Sequence, residues 1–242
     1  MQHDVAIIIP SRIGATRLPK KPLAKIGELS LIEHVISRIM PIAKNNLYVA
    51  TDSFEIANVV KSSGAIAIMT DENCPSGSDR VFECFKKVDE NNRIKYIINV
   101  QGDMPFIDNQ LISTIIDRLK NTDSDIVTPV AKVSMDVAKS PSNVKVVADK
   151  FHNAMYFSRS PVPYGATEFL YHVGIYGFKR NALEKFVNLD HGHYEKLESL
   201  EQLRALEHGM KIGICFSDEV PISVDTPDDL AKAKRYYEML NL

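Results

Sequence analysis

Two aspartates each follow a short apolar run that is typical of a β-strand. Asp103 ends the segment IINVQGD, and Asp225 ends the segment VPISVD. Because the carboxyl ends of parallel strands meet at one edge of a sheet, both carboxylates are expected there. Two carboxylates at such an edge could hold a hard cation that bridges phosphate oxygens. Taken alone, each aspartate is more often a turn or helix-flanking residue, so the prediction depends on their coincidence.

A loop rich in cations and hydroxyl groups follows the first apolar run of the chain. It spans residues 10–23, PSRIGATRLPKKPL, and contains Gly14 together with Arg12, Arg17, Lys20 and Lys21. α/β folds bind phosphate groups in loops at the carboxyl end of the first strand. The loop matches neither the Walker A motif nor the dinucleotide-binding glycine fingerprint, which weakens ATPase and dehydrogenase interpretations. We therefore predict a phosphate-binding loop, with a solvated basic loop as the alternative.

The elements that would position these residues alternate between β-rich runs and segments of helical periodicity. This alternation favours an α/β class with a mostly parallel sheet flanked by helices, in a single domain over residues 1–242. The predicted strands are 5–9, 47–50, 65–69, 96–100, 126–130, 144–148, 154–158, 172–177 and 212–216. The predicted helices are 31–42, 54–62, 78–88, 109–120, 194–208 and 227–240. Thr226 and, more weakly, Ser53 are predicted N-caps.

The regular alternation loosens over residues 134–192, where Pro141, Pro161 and Pro163 interrupt it. We interpret this stretch as a β-rich insertion that shapes a substrate pocket or a subunit interface. Beyond it, three glutamates recur every third residue and are expected on one solvated helix face: Glu195, Glu198 and Glu201. The preceding Asp190, His191 and His193 are interpreted as a polar loop and not as metal ligands.

Composition restricts the partners of the chain. There are 29 Lys and Arg against 31 Asp and Glu, a formal net charge of −2, without a block of like charge. This balance gives no support to a nucleic-acid or membrane-surface partner. The apolar run Val5–Ile9 is too short for a signal peptide or a membrane span. Three cysteines at unrelated spacings, Cys74, Cys84 and Cys215, form no disulfide framework, so we expect a cytoplasmic protein.

Nine segments together resemble the successive motifs of the 3-deoxy-manno-octulosonate (Kdo) cytidylyltransferase family. In chain order they are PSRIGATRLPKKPL, VATDS, PSGSDR, NVQGDMP, VKVV, YFSRSPVP, HVGIYGF, LESLEQLR and VPISVDTPDDL. The first loop is similar to that of many nucleotidyltransferases, whereas HVGIYGF followed by LEQLR is similar to the Kdo enzymes in particular. The resemblance implies a Rossmann-type, nucleotidyltransferase-like fold in which the insertion binds sugar and forms a homodimer. The implied reaction transfers CMP from CTP to the anomeric hydroxyl of Kdo for lipopolysaccharide biosynthesis, with release of pyrophosphate.

The resemblance also implies roles for individual residues. Asp103 and Asp225 would hold Mg²⁺ and act in catalysis with Arg12 and Lys21. The nucleotide would be bound by Ser11, Arg12, Arg17, Lys21, Ser76, Gly77, Arg80 and Gln101. The sugar acid would be bound by Arg159, His172, Tyr176, Glu201 and Gln202.

The chain departs from the common pattern of the family at two positions. Lys20 stands where the family commonly has glycine, and Met104 stands where it commonly has a glutamate. Neither departure removes one of the two aspartates. Two alternatives stay open: a cytidylyltransferase for another sugar acid, such as sialate or an 8-amino relative of Kdo, and a nucleotide-binding sensor without catalysis. The two aspartates and the loop lysine weigh against the sensor, since a binder needs no metal ligands.

Overall fold

The computed structural model describes residues 4–43 and 45–240, which divide into two compact units. The first unit comprises the described residues up to Gln110 together with those from Pro221 onwards. The second unit is Leu111–Val220. The prediction of a single domain with an insertion over 134–192 stays a prediction. In the part of the chain that the structure describes, no helix is both long enough and apolar enough to cross a membrane.

A parallel sheet forms the centre of the first unit. Its strands run in the order β5-β4-β1-β6, and Ile8 of the central strand β1 pairs with Tyr48 of β4 and Asn99 of β6. The strands of this unit are β1 (Val5–Ser11), β2 (Lys25–Ile26), β3 (Leu29–Ser30), β4 (Leu47–Thr51), β5 (Ile66–Met69) and β6 (Tyr96–Asn99). Its first helices are α1 (Leu31–Ala43), α2 (Phe54–Ser62) and α3 (Gly77–Val88). Residues 5–9 of β1 are fully buried, as expected for a central strand covered on both faces.

The second unit is built on a mixed sheet around the long strand β7. This strand pairs with β10 and β11 in antiparallel orientation and with β12 in parallel orientation, while β10 continues through β8 to β9. The strands are β7 (Ile126–Ser134), β8 (Lys145–Ala148), β9 (Ala154–Ser158), β10 (Glu168–His172), β11 (Tyr176–Lys179) and β12 (Ile212–Phe216). The helices are α4 (Asn109–Asn121), which begins in the first unit, α5 (Met135–Ala138), α6 (Arg180–Phe186), α7 (His193–Glu198) and α8 (Gln202–Glu207). Helix α9 (Pro227–Leu240) belongs to the first unit.

The predicted α/β class is confirmed, and both predicted N-caps form. Thr226 Oγ1 accepts a hydrogen bond from the amide of Asp229 at 3.2 Å, while the Asp229 carboxylate accepts from the Thr226 amide at 3.1 Å. Ser53 Oγ accepts from the Ile56 amide at 3.5 Å, a longer and weaker bond. These caps satisfy amides at the first turn of α9 and of α2, where no helical partner is available.

Three predicted elements are wrong. The strand predicted over 220–224, before Asp225, does not form, because the Val224 amide bonds to the Asp103 carbonyl and the segment joins no strand ladder of the described residues. The strand predicted over 172–177 is interrupted, because the Ile175 amide bonds to the Val173 carbonyl at 2.7 Å and turns the chain between β10 and β11. The helix predicted over 194–208 is broken at Ser199, which has a left-handed backbone with φ of 52°. Glu201 therefore lies at the start of α8 and does not continue the face of Glu195 and Glu198.

Glu195 also differs from its predicted solvated role. Its side chain is buried and accepts hydrogen bonds from Arg204, whose Nε lies 2.9 Å from Glu195 Oε2. Burial disfavours the charged carboxylate, but the bonds from Arg204, His191 and the Gly192 amide outweigh it and lower the Glu195 pKa to about 2. The segment before α7 is thus held by the ion pair between Glu195 and Arg204. Among the described residues, no group of three or more His, Cys, Asp or Glu side chains is arranged to hold a metal ion.

Candidate active site

A cavity of about 310 Å³ lies at the carboxyl ends of β1 and β6 in the first unit. It is lined by the loop after β1, by the start of α3 and by the residues that follow β6. All ten residues predicted to bind nucleotide or metal line it: Ser11, Arg12, Arg17, Lys21, Ser76, Gly77, Arg80, Gln101, Asp103 and Asp225. The structure therefore brings together residues that are more than two hundred positions apart in the chain.

The loop after β1 is attached to its surroundings at both ends. Near its start, the Ile13 amide donates to Asp52 Oδ1 at 3.0 Å. Near its end, Lys20 has a left-handed backbone with φ of 52°, and its ammonium contacts both carboxylate oxygens of Glu55 at 2.8 and 3.0 Å. A left-handed backbone is uncommon for lysine but easily adopted by glycine, which is the residue that the family commonly has at this position. The loop then closes in a 3₁₀ turn, Lys21–Leu23, that begins with the lysine predicted to be functional.

Asp103 and Asp225 are positioned by backbone contacts between their segments. The Val224 amide donates to the Asp103 carbonyl at 2.9 Å, which connects the end of β6 to the residue before Asp225. Gly102 allows this segment to approach β1, because a Cβ atom there would lie 3.2 Å from the Pro10 carbonyl oxygen. The capped start of α9 then directs the chain away immediately after Asp225.

Lys21 lies between the two carboxylates. Its Nζ is 3.0 Å from Asp103 Oδ2 and 2.9 Å from Asp225 Oδ1, and Arg17 lies 3.3 Å from the other oxygen of Asp225. Burial acts against the charge on Lys21, but attraction to Asp103 and Asp225 outweighs it and raises the lysine pKa. Burial also raises the pKa of Asp103 despite the attraction of Lys21. The four side chains thus form a compact group of two carboxylates and two cations.

The donor set is suited to a magnesium ion that arrives with phosphate. Mg²⁺ prefers oxygen ligands and is commonly held by one or two carboxylates together with substrate phosphates and water. Asp103 Oδ1 is buried and has no hydrogen-bond partner among the described residues, so one carboxylate oxygen remains available. With two carboxylates and no third acidic or histidine ligand in the described part of the chain, the remaining ligands would come from outside the protein.

Helix α3 presents its N-terminus to the cavity. Ser76 is the N-cap and accepts a hydrogen bond from the Asp79 amide at 3.2 Å, and Gly77 begins the helix. Amide groups at a helix N-terminus favour nearby anions. Arg80, in the first turn of the same helix, is buried and donates to Thr70 Oγ1 at 2.7 Å.

Asp52 supports this site from outside the cavity, and the sequence reasoning did not single it out. One of its oxygens binds the Ile13 amide, and the other lies 3.5 Å from the Arg80 guanidinium. It therefore connects the loop after β1 to helix α3. The signal was present, because Asp52 directly follows β4 in the run VATDS, much as Asp103 follows β6.

In the second unit, three of the predicted sugar-binding residues form one group, in which His172 and Gln202 are buried and Tyr176 is half-buried. His172 Nε2 lies 2.9 Å from Thr128 Oγ1, and the Thr128 hydroxyl donates to backbone carbonyls, including that of Ile175 at 2.8 Å. The Thr128 oxygen therefore accepts from the Nε2–H group, which leaves His172 Nδ1 as an acceptor. Tyr176 packs beside the imidazole and donates to Gln202 Oε1 at 3.2 Å.

These groups are uncharged. Burial lowers the pKa of His172 to about 3, so its imidazole is neutral at ordinary pH. Burial, together with the nearby Glu201 carboxylate, raises the pKa of Tyr176. The Gln202 Nε2 group is buried and has no hydrogen-bond partner in the described residues. The group thus offers an acceptor and a donor for an uncharged polar ligand.

Arg159 binds backbone carbonyl groups of the second unit. Its guanidinium donates to the carbonyl oxygens of Glu198 at 2.7 Å, Pro141 at 3.0 Å and Ser199 at 3.1 Å. The bonds to Glu198 and Ser199 satisfy carbonyl groups at the break between α7 and α8. These contacts give Arg159 a structural role. Its predicted role in binding a sugar acid stays a prediction.

The fold and the cavity define a class of protein. A protein whose parallel sheet has a cationic loop, a helix N-terminus and a pair of carboxylates around one cavity belongs to the class of proteins that bind nucleotide phosphates. The chain belongs to the cytidylyltransferase family, and within it to the 3-deoxy-manno-octulosonate cytidylyltransferases, which confirms the resemblance predicted from the sequence. The cytidylyltransferase family model matches residues 6–212.

The relatives and the solved structures agree on this family. A 3-deoxy-manno-octulosonate cytidylyltransferase of Rickettsia prowazekii is 55% identical over 99% of this chain and 97% of its own length. The structure of CMP:2-keto-3-deoxy-manno-octonic acid synthetase complexed with CTP is 35% identical, with a TM-score of 0.91 over 98% of this chain and 99% of its own. A cytidylyltransferase from Leptospira borgpetersenii, at 18% identity and a TM-score of 0.67 over 98% of this chain and 88% of its own, shares the fold.

Proposed function

We propose that this chain transfers CMP from CTP to the anomeric hydroxyl of Kdo and releases pyrophosphate, a reaction that serves lipopolysaccharide biosynthesis. The observation that supports this most strongly is the meeting of Lys21, Asp103 and Asp225 in one cavity of a chain that belongs to this family. A protein that only bound nucleotide would not need two carboxylates beside the phosphate loop, since carboxylates repel a triphosphate unless a cation lies between them.

The reaction is an in-line attack of the sugar hydroxyl on the α-phosphorus of CTP. Arg12, Arg17 and Lys21 would neutralise charge on the triphosphate, and the start of α3 would add amide donors. Positioning and charge neutralisation contribute most of the rate in such transfers. Asp103 and Asp225 would hold magnesium, which supplies Lewis-acid polarisation of the phosphate when it is bound.

The sugar acid is proposed to bind in the second unit. The lone pair of His172 Nδ1 and the unpaired Gln202 amide are suited to hydroxyl groups, since buried polar groups gain from a partner. Glu201, at the start of α8, would accept from further hydroxyl groups. Arg159 would supply the cation for the acid group, although two of its three backbone bonds would have to remain for the break between α7 and α8 to persist.

Pyrophosphate release with different substrate pairs tests this function. With magnesium present, CTP and Kdo should release pyrophosphate far faster than CTP and N-acetylneuraminate or CTP and 8-amino-Kdo. A preference for either alternative acid, or for UTP over CTP, would contradict the substrate assignment. Binding of CTP without pyrophosphate release in any mixture would favour the nucleotide sensor.

We also propose that the protein is a cytoplasmic homodimer that associates through its second unit. Large apolar side chains of this unit are exposed in the single chain, including Phe151 at 69%, Met155 at 63% and Leu197 at 68%. The three cysteines are all free thiols, which is compatible with a reducing compartment. Light scattering during gel filtration tests the dimer. Met155→Lys should shift the mass towards a monomer, whereas Met239→Lys, an exposed change in the first unit, should not.

A further inference from the structure

Lys21 has two partners in the free protein that the proposed function assigns to a metal. Its Nζ contacts Asp103 Oδ2 and Asp225 Oδ1 at 3.0 and 2.9 Å, the distances of charge-assisted hydrogen bonds. The same ammonium group is proposed to bind the triphosphate. Asp103 Oδ1 is unpaired in the described part of the chain, but both Asp225 oxygens are occupied, Oδ1 by Lys21 and Oδ2 by Arg17, so a cation held by both carboxylates has to displace a side chain.

We infer that Lys21 is a resident counter-ion that occupies the carboxylate pair and weakens binding of a divalent cation until a triphosphate draws the lysine away. This inference rests on the proposed role of Asp103 and Asp225 as magnesium ligands. It adds a second role for Lys21 to its proposed contact with phosphate, because the lysine makes metal binding depend on nucleotide binding.

The geometry explains why the metal and the lysine compete. A magnesium or manganese ion binds carboxylate oxygen at roughly 2 Å, so a cation held by both carboxylates would come into close contact with Nζ, which lies 3.0 and 2.9 Å from them. The group of Lys21, Arg17, Asp103 and Asp225 has no net formal charge in the free protein. A divalent cation therefore gains little attraction from it. Removal of Lys21 would leave one net negative charge and two facing carboxylates.

Neighbouring cations offer matched comparisons. Arg17 contacts the same pair from a more exposed position, 3.3 Å from Asp225 and 68% exposed, so its effect should be smaller because water screens it. Lys20 is adjacent in sequence, but its ammonium pairs with Glu55 and does not contact Asp103 or Asp225. Lys20→Met therefore removes the same charge from the same loop and leaves the carboxylate pair occupied.

Binding of Mn²⁺ to the nucleotide-free protein tests the inference, with free Mn²⁺ measured by electron paramagnetic resonance. Lys21→Met should bind Mn²⁺ at least about tenfold more tightly than the unchanged protein. Arg17→Met should show a smaller gain, whereas Lys21→Arg, which keeps the cation, and Lys20→Met should stay within about twofold. Equal affinity in Lys21→Met and the unchanged protein, or an equal gain in Lys20→Met, would overturn the inference.

Two further measurements distinguish a wrong counter-ion role for Lys21 from a wrong assignment of the metal ligands. In a Lys21→Met protein that also carries Asp103→Asn and Asp225→Asn, the gain in Mn²⁺ affinity should disappear. If the gain persists there, the metal binds elsewhere and the proposed metal site is wrong. If metal-dependent turnover is lost in Asp103→Asn but Lys21→Met gains no affinity, only the counter-ion role is wrong.

A measurement on the unchanged protein covers the case in which Lys21→Met does not fold. Labelling with acetic anhydride and mass spectrometry reports how freely each lysine reacts. Saturating Mn²⁺ should increase the labelling of Lys21 several-fold relative to Lys20, because displacement from the carboxylates frees its amine. Unchanged relative labelling at saturating Mn²⁺ would contradict the displacement.

Discussion

The two units assemble their candidate sites in different ways. In the first unit, charged residues lie in loops next to regular elements: Asp52 and Asp103 follow β4 and β6, and Asp225 precedes α9. In the second unit, His172 ends β10 and Tyr176 begins β11, where the imidazole is buried and neutral and the phenol is half-buried. Charged groups suit a triphosphate, whereas neutral donors and acceptors suit hydroxyl groups. We therefore expect the proposed first site to act by electrostatics and the proposed second site by hydrogen-bond selection, and each expectation can be tested.

The largest expected effect comes from removing one carboxylate of the first unit. Asp103→Asn or Asp225→Asn should lower turnover by about 10³-fold or more, because a charge-stabilising group in a desolvated site is lost. Steady-state pyrophosphate release measures this, and circular dichroism checks the fold. Asp228→Asn is the matched control, since it changes an exposed aspartate in the first turn of α9. A folded Asp225→Asn protein with ordinary magnesium-dependent activity would remove that residue from the site.

The next effect separates the two substrates. Arg12→Ala should raise the Michaelis constant for CTP by about 10- to 100-fold with little change for Kdo, while Glu201→Ala should do the reverse. Titration of each substrate against each variant measures the two constants. Arg38→Ala and Glu168→Ala, both exposed, serve as controls in the first and second unit. A loss of CTP affinity in Glu201→Ala would show that the division between the sites is mistaken.

A smaller effect is expected at Asp52, which acts through other residues. Asp52→Asn weakens the hydrogen bond from the Ile13 amide and removes the ion pair with Arg80. The Michaelis constant for CTP should therefore rise about tenfold. Turnover at saturating CTP should change less, since Asp52 does not line the cavity. Glu55→Gln is the control, because its exposed pair with Lys20 contributes little. Equal effects of the two variants on the CTP constant would argue against a positioning role for Asp52.

The sequence predicted the first site better than the second for a physical reason. Because the carboxyl ends of parallel strands share an edge, the position of Asp103 could be predicted from the strand before it. The strand predicted before Asp225 does not form, and that residue lies beside Asp103 because the Val224 amide bonds to the Asp103 carbonyl. The position of Lys21 between them could not be predicted, since it depends on a side-chain contact across the tertiary fold. In the second unit, the break at Ser199 depends on Arg159, which binds the exposed carbonyl groups from forty residues away along the chain. Local helical periodicity carries no signal of such a contact.

The smallest expected effect tests whether His172 is held neutral. Its pKa is about 3 in the folded protein and is 6.5 for an unperturbed histidine. Between these values the unfolded chain binds the extra proton, so the free energy of unfolding rises with pH there. Above pH 6.5 the imidazole is neutral in both states and does not change the stability with pH. As the pH falls below 6.5, proton binding stabilises the unfolded chain relative to the folded protein. His172 should therefore cost the folded protein about 1 kcal/mol of stability for each pH unit below 6.5.

His172→Gln separates this contribution from the other titrating groups. Urea unfolding at pH 7.5 and pH 5.5 should give a smaller pH-dependent loss in His172→Gln than in the unchanged protein, even if the variant is less stable at both values. His208→Gln, which changes an exposed histidine of the same unit, should keep the full loss. If His172→Gln and the unchanged protein lose the same free energy between the two pH values, the imidazole is charged or exposed. The second site would then share the electrostatic character of the first.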